Sequence, residues 1–297
     1  MAVKDAYLLT VESQEITLTH PHKRLWEEPV ITKLDYVHYL AALVPYLLKH
    51  TGERCLTTIR YPQGISGKSF YQKNCPEHAP PFIHTHTQDN LNYIVPTSRA
   101  DFIWMANLAC LEFHPALHRI HDPLPDYWVM DIDPTHERGP DVCEATCLVG
   151  EALAGMHIQS VAKTSGATGF QILVPLVKGP TFEQLRALGK FISQYLVETY
   201  PHLFTIERLI KDRGNKIYLD YLQHWHGKTL AAPYTPRARP GAPVSAPVSW
   251  EEAANGVQAA DFHLLNMAER LQQKGDLIEK VPPQNLHDQL QYLLSRS

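Results

Sequence analysis

Paired cysteines and long apolar runs are both missing from this sequence, and each absence removes a class of protein. Five cysteines is an odd count without paired spacing, so neither a disulfide-stapled secreted fold nor a cysteine-based zinc module is expected. Cys143 and Cys147, at i and i+4 on a predicted helix, read as packing groups with free thiols. No stretch approaches the length of a membrane span, and the start, Met1 to Asp5, carries charges where a signal peptide needs an apolar run. The expected place is the cytoplasm, with no membrane partner. There is no internal repeat, heptad array or low-complexity linker. Nor is there an excess of positive charge: 27 Lys and Arg stand against 31 Asp and Glu, a net charge of -4. A polyanionic partner must then be met by a local basic patch.

What is present is an ordinary globular composition, 44% hydrophobic and 20% charged over 297 residues. The chain reads as one α+β domain, 1–297, with mixed or antiparallel sheets flanked by helices. Residues 7 to 20 alternate as a strand does. Thr32-Lys33-Leu34-Asp35 is a capping box, and the helix it opens carries Leu34, Val37, Leu40, Val44, Leu47 and Leu48 at helical spacing before Gly52. A strand is predicted from Cys55 to Tyr61. A second helix is predicted from Ser98 to about Glu112, stopped by Phe113-His114-Pro115. Further helices are predicted over 140–156 and 181–200, with strands at 159–164, 170–176 and 217–222. The proline-rich stretch from Pro233 to Pro247 is expected to be an ordered loop, because structured segments flank it.

The chemistry centres on Tyr127-Trp128-Val129-Met130-Asp131-Ile132-Asp133-Pro134. Side chains alternate across a strand, so Asp131 and Asp133 share a face and repel each other unless a cation or proton offsets the charge. Hard oxygens at this spacing suit Mg²⁺ or Mn²⁺. Asp220 is a third acid on an apolar strand, and three carboxylates can hold two divalent ions of the kind that clamp oxygens in phosphoryl transfer; its bland alternative is an ion pair with Arg213 or Lys216. Lys163-Thr164-Ser165-Gly166-Ala167-Thr168-Gly169 is no Walker loop, yet its glycines free backbone amides to face an anion, with Lys163 and Ser165 adding donors; a plain turn is the competing reading. The basic run Arg208 to Lys216, followed by Arg237 and Arg239, suits triphosphate or nucleic-acid backbone contacts, against a solvated charged face.

In order along nearly the whole chain, several motifs together resemble the polymerase domain of bacterial ligase D, within the archaeo-eukaryotic primase superfamily. They are Lys23 and Lys33, Phe70-Tyr71-Gln72-Lys73, Glu112-Phe113-His114-Pro115, Met130 to Pro134, Lys163 to Gly166, Leu219-Asp220-Tyr221-Leu222-Gln223, and Ala232 to Ser245. The resemblance implies a primase-like catalytic core at 121–250, a lysine- and aromatic-bearing DNA-contacting part at 1–120 and a helical segment at 251–297. It implies a template-directed nucleotidyltransferase that fills gaps with ribonucleotides in non-homologous end joining of DNA double-strand breaks, using Mn²⁺ or Mg²⁺. Asp131, Asp133 and Asp220 would hold the metals. His114, Lys163, Ser165, Gln171 and Arg237 would contact the incoming nucleotide, Phe70 and Tyr71 the template, and Lys23 with Lys33 a DNA 5′-phosphate. Many relatives carry histidine where this chain has Gln171, which can donate a neutral hydrogen bond but cannot become cationic.

Ligase D proteins often fuse this domain to a ligase and a phosphoesterase. With no Lys-x-Asp-Gly motif, the chain is expected to stand alone, nucleoid-associated, with gapped or broken DNA, nucleoside triphosphates, a separate DNA ligase and Ku as partners. Two rival readings remain. Asp131-Ile132-Asp133-Pro134-Thr135 also fits the Asp-x-Asp-x-Thr of haloacid-dehalogenase-like phosphatases, which place it on the first strand of a Rossmann-like unit. The other rival is a DNA-end-binding module without catalysis, against which three unneutralised acids facing DNA would argue.

Overall fold

The computed structural model describes residues 5–136 and 139–295. The chain forms two compact units and passes between them repeatedly. One holds the chain up to Ala116 together with Thr229–Ser245 and Ala260–Gly275; the other holds Leu117–Lys228, Ala246–Ala259 and the chain from Asp276 onward.

In the first unit the alternating stretch is a hairpin, not one strand: β1 (Ala6–Val11) and β2 (Gln14–Thr19) pair antiparallel around Glu12 and Ser13, both at positive φ. β3 (Arg24–Trp26) pairs with β4 (Ile31–Thr32), which leads into α1 (Lys33–Thr51). The capping box forms as its residues require, with the Asp35 amide on Thr32 Oγ1 at 3.2 Å and the Thr32 amide on Asp35 Oδ2 at 2.9 Å. Such a cap contributes about 1 kcal/mol. The helix buries Tyr36, Leu40, Leu43, Val44 and Leu47, each worth roughly 1.5–3 kcal/mol out of water. The main sheet of this unit runs β6 (Phe70–Gln72), β5 (Leu56–Arg60), β8 (Leu91–Ile94) and β7 (Thr85–Gln88), and β9 (Cys110–Pro115) also pairs with β5.

The second helix, α2 (Arg99–Asn107), ends five residues before the predicted Glu112. Ala109 turns the chain through φ 57°, and Leu111 and Phe113 then alternate with Glu112 and His114 as a strand. Helical spacing lost to alternation because Leu111 and Phe113 are wholly buried on one face. The proline-rich loop is ordered because β9 holds it: the Ala232 amide donates to Phe113 O at 3.0 Å, and Thr235 Oγ1 accepts the Phe113 amide at 2.9 Å.

The second unit is built on a six-stranded sheet. β10 (His118–Arg119) and β11 (Asp122–Pro125) form a small ribbon ahead of β12 (Tyr127–Pro134). Then come α3 (Val142–Gly155), β13 (Val161–Thr164), β14 (Phe170–Pro175), α4 (Phe182–Thr199), β15 (Phe204–Thr205), β16 (Ile217–Asp220) and β17 (Pro247–Val248). The sheet order is β15-β16-β12-β14-β13-β17. β12 is therefore central and antiparallel to both neighbours. That arrangement disfavours the phosphatase reading, whose Asp-x-Asp strand opens a parallel Rossmann-like unit. Trp128, Met130 and Ile132 are buried on one face of β12, and the odd-numbered Asp131 and Asp133 project to the other.

Candidate active site

Four polar residues form a row across the sheet of the second unit. Lys163 on β13 is opposite Gln171 on β14, Gln171 is opposite Asp131 on β12, and Asp131 is opposite Asp220 on β16. Residues directly opposite in antiparallel strands project to one face, so residues separated by up to 89 positions meet on that face. Asp133 joins the same face two positions along β12. Gln171 Nε2 donates to Asp131 Oδ1 at 3.1 Å, and Gln171 Oε1 is buried without a partner. Asp220 Oδ1 accepts Tyr218 Oη at 3.2 Å and the Leu222 amide at 3.0 Å.

Burial, then the charge of Asp133, then that of Asp220 push Asp131 well above the usual carboxylate range; the Gln171 hydrogen bond and the Lys163 ammonium pull the other way. Asp133 is also raised, by burial and by Asp220, with Arg213 opposing. Among the described residues no three His, Cys, Asp or Glu side chains close into a ready-made metal cage. The donors nevertheless fit a hard divalent ion: they are all oxygens, and their mutual repulsion is what a cation relieves. An ion such as Mg²⁺ needs only one or two carboxylates when water and phosphate oxygens complete its shell.

Within the β13–β14 turn the Ser165 hydroxyl closes the backbone on itself in part. Ser165 Oγ accepts the amides of Ala167 and Gly169, each at 3.1 Å. Gly169 serves a different end. A Cβ at this position would lie 2.4 Å from Ile132 O and 2.8 Å from Asp133 Oδ1, so only glycine lets β14 approach the acid-bearing strand. Beside Asp220 lies a cavity of about 420 Å³ ringed by Arg186, Arg208, Arg213 and Lys228. Two of these cations stack on aromatic faces, Arg213 over Tyr218 at 3.6 Å and Arg186 over Trp225 at 4.4 Å. The basic run foretold Arg208 and Arg213, whereas Arg186 and Lys228 come from elsewhere in the chain.

In the first unit, His114 and Arg237 meet on a carboxylate to which sequence reasoning gave no role. Glu112 Oε2 lies 3.0 Å from His114 Nε2 and 2.9 Å from Arg237 Nε, and Oε1 accepts the Ala238 amide at 3.0 Å. Burial works against the charge of Glu112, but the His114 bond, Arg237 and the Ala238 amide prevail and hold it down at about 2. Its one legible signal was an acid set between two core residues, Leu111 and Phe113.

Lys23 and Lys33 are also brought together, the Lys33 amide donating to Lys23 O at 2.8 Å. The Lys33 ammonium is buried on Thr19 O at 2.7 Å and Asn107 O at 2.9 Å, and Lys23 Nζ donates to Pro62 O. Burial, then the charges of Lys23 and Arg60, lower Lys33 to about 8. Such a crowded cation is stabilised by an anion. Phe70 and Tyr71 sit on the short strand β6, 46% and 72% exposed, with the Arg60 guanidinium 5.3 Å from the Phe70 ring centre. Successive strand residues face opposite ways, so the two rings offer separate surfaces.

The chain combines an α+β fold with three acids on adjacent antiparallel strands of one sheet, an arrangement suited to metal-dependent phosphoryl transfer. The family described as LigD, primase-polymerase domain, matches residues 32–278, and the chain belongs to it. The resemblance drawn from the motifs is thus borne out. The bifunctional non-homologous end joining protein LigD of Bacillus subtilis (strain 168) is 34% identical over 263 residues, 88% of this chain and 43% of that protein. The multifunctional LigD of Mycolicibacterium smegmatis is 27% identical over 274 residues, 89% of this chain and 36% of that one. The chain spans less than half the length of these relatives. The polymerase domain from Mycobacterium tuberculosis ligase D in complex with DNA superposes with a TM-score of 0.82 at 26% identity, covering 90% of this chain and 98% of that one. No described helix is long and apolar enough to cross a membrane.

Proposed function

We propose that the protein is a template-directed nucleotidyltransferase that fills gaps with ribonucleotides during non-homologous end joining of DNA breaks. The observation that carries this reading is the cross-strand row Lys163, Gln171, Asp131 and Asp220, with Asp133 beside it. In the reaction a primer 3′-oxygen bonds to the α-phosphorus of a nucleoside triphosphate, the bond to the β-phosphate breaks, and pyrophosphate and the hydroxyl proton leave. Asp131, Asp133 and Asp220 would hold Mn²⁺ or Mg²⁺, which supplies charge stabilisation to the reacting phosphate. Gln171 fixes the Asp131 carboxylate, and Lys163 and Ser165 flank the nucleotide side of the sheet. In the other unit His114 and Arg237 bind the triphosphate, Phe70 and Tyr71 the template, and Lys23 with Lys33 a downstream 5′-phosphate. A DNA ligase and Ku are the partners such a step calls for, on broken DNA at the nucleoid.

The test is extension of a labelled primer on a gapped duplex, comparing ATP with dATP and Mn²⁺ with Mg²⁺. Template-directed addition, stronger with ATP, is expected. DNA binding without addition under either metal would favour the non-catalytic module instead.

A further inference from the structure

We infer that Glu112 is a positioning residue, which sets the Arg237 guanidinium and the His114 imidazole as one preformed site for the triphosphate of the incoming nucleotide. The inference rests on the nucleotidyl-transfer reading and adds to it a residue and a way of acting. Its ground is the geometry around one buried carboxylate. Glu112 retains only 5% side-chain exposure, against 14% for His114 and 17% for Arg237, so the acid lies beneath while the imidazole and the guanidinium lie nearer the surface. Its two oxygens take three donors from two separate pieces of chain: His114 from the same strand, and Arg237 Nε and the Ala238 amide from the loop that β9 holds.

An arginine on a loop has rotamer freedom to lose when it grips a phosphate. Holding Nε in advance removes most of that loss before the ligand arrives, and the planar fork keeps one orientation. The loop supports the same end from below, since the Arg237 amide donates to Pro243 O at 2.8 Å and Thr235 beside it is fully buried. The buried carboxylate between Arg237 and His114 holds the guanidinium and the imidazole side by side.

A merely structural role would act on everything at once, whereas a positioning role acts on the nucleotide. Glu112→Gln keeps the shape and an acceptor for the Ala238 amide while removing the charge. It should raise the KM for ATP by tenfold or more, with the Kd for gapped DNA within twofold of wild type. Because Glu112 acts through Arg237 and His114, adding Glu112→Gln to the variant His114→Ala/Arg237→Ala should cause no further loss. An ATP KM within twofold of wild type for Glu112→Gln, or a further loss when it is added to His114→Ala/Arg237→Ala, would overturn the inference. If Glu112→Gln does not accumulate as folded protein, Glu112→Asp, which withdraws the charge by one methylene, should show the same rise in KM; an unchanged KM overturns the inference there too. Failure of the underlying reading looks different: wild type would then add no nucleotide at all. Equilibrium binding of labelled ATP to wild type and Glu112→Gln, done in parallel, still measures positioning, with equal affinities counting against it.

Discussion

Replacing Asp131 with asparagine should abolish nucleotide addition and yet make the metal-free protein more stable. Asp131 and Asp220 are directly opposed across antiparallel strands, which puts their Cβ atoms about 5 Å apart. Two unit charges at that distance repel by about 3 kcal/mol at an effective dielectric constant near 20. Asp133 adds to the repulsion, while Gln171 and Lys163 offset part of it. Asparagine keeps the size and an oxygen for the Gln171 hydrogen bond, so the net gain should be about 1–3 kcal/mol, at roughly 2–4 °C of Tm per kcal/mol. The sign with pH follows from the raised Asp131. Between the ordinary carboxylate value and the raised one the folded protein binds more protons than the unfolded chain, so stability falls as pH rises through that window. Wild type in EDTA should therefore melt progressively lower from pH 5 to pH 8, and Asp131→Asn should show a flatter profile. Added Mn²⁺ should restore wild type, by about 2.7 kcal/mol at a hundred times Kd, and have little effect on the variant. Thermal melts across pH with and without Mn²⁺ make the comparison. An Asp131→Asn protein that melts below wild type in EDTA at pH 7 would refute the reasoning, because the acids would then not be repelling one another.

Arg237→Ala should lower kcat/KM for ATP by the equivalent of about 2–4 kcal/mol, and Arg237→Lys should recover little, since an ammonium cannot hold Glu112 and a phosphate as a planar fork does; steady-state extension assays decide it. Lys23→Ala/Lys33→Ala should erase any preference for gapped DNA bearing a 5′-phosphate over a 5′-hydroxyl, and in wild type that preference should fade above about pH 8, where Lys33 loses its proton. A preference that survives in the double variant would remove the pair from that role. Tyr71→Ala, at a 72% exposed position, should leave Tm within about 1 °C while weakening binding to the templating strand by roughly 1–3 kcal/mol, as deletion of a base-stacking ring does. Fluorescence titration of gapped DNA reads the effect.

The local rules carried much of this protein. Alternation alone put Asp131 and Asp133 on one face of a strand, the capping boxes at Thr32, Ser98 and Thr181 opened helices where the sequence predicts them, and the order of motifs named the family. These features depend on residues within a few positions of one another, so they can be read along the chain. Which groups meet across the sheet cannot. Asp220 comes opposite Asp131, and Gln171 between Asp131 and Lys163, only through the pairing registers of β16, β12, β14 and β13; a slip of one residue would turn every one of these side chains to the other face. Gln171 accordingly donates to the Asp131 carboxylate, and Ser165 Oγ accepts the Ala167 and Gly169 amides, neither of which a local pattern announces. His114 lies on a strand because burial of Leu111 and Phe113 outweighed helical spacing. Glu112 joins His114 to Arg237 across 125 positions of sequence because β9 hydrogen-bonds the 229–245 loop, a partnership that long-range packing creates and that no local pattern contains.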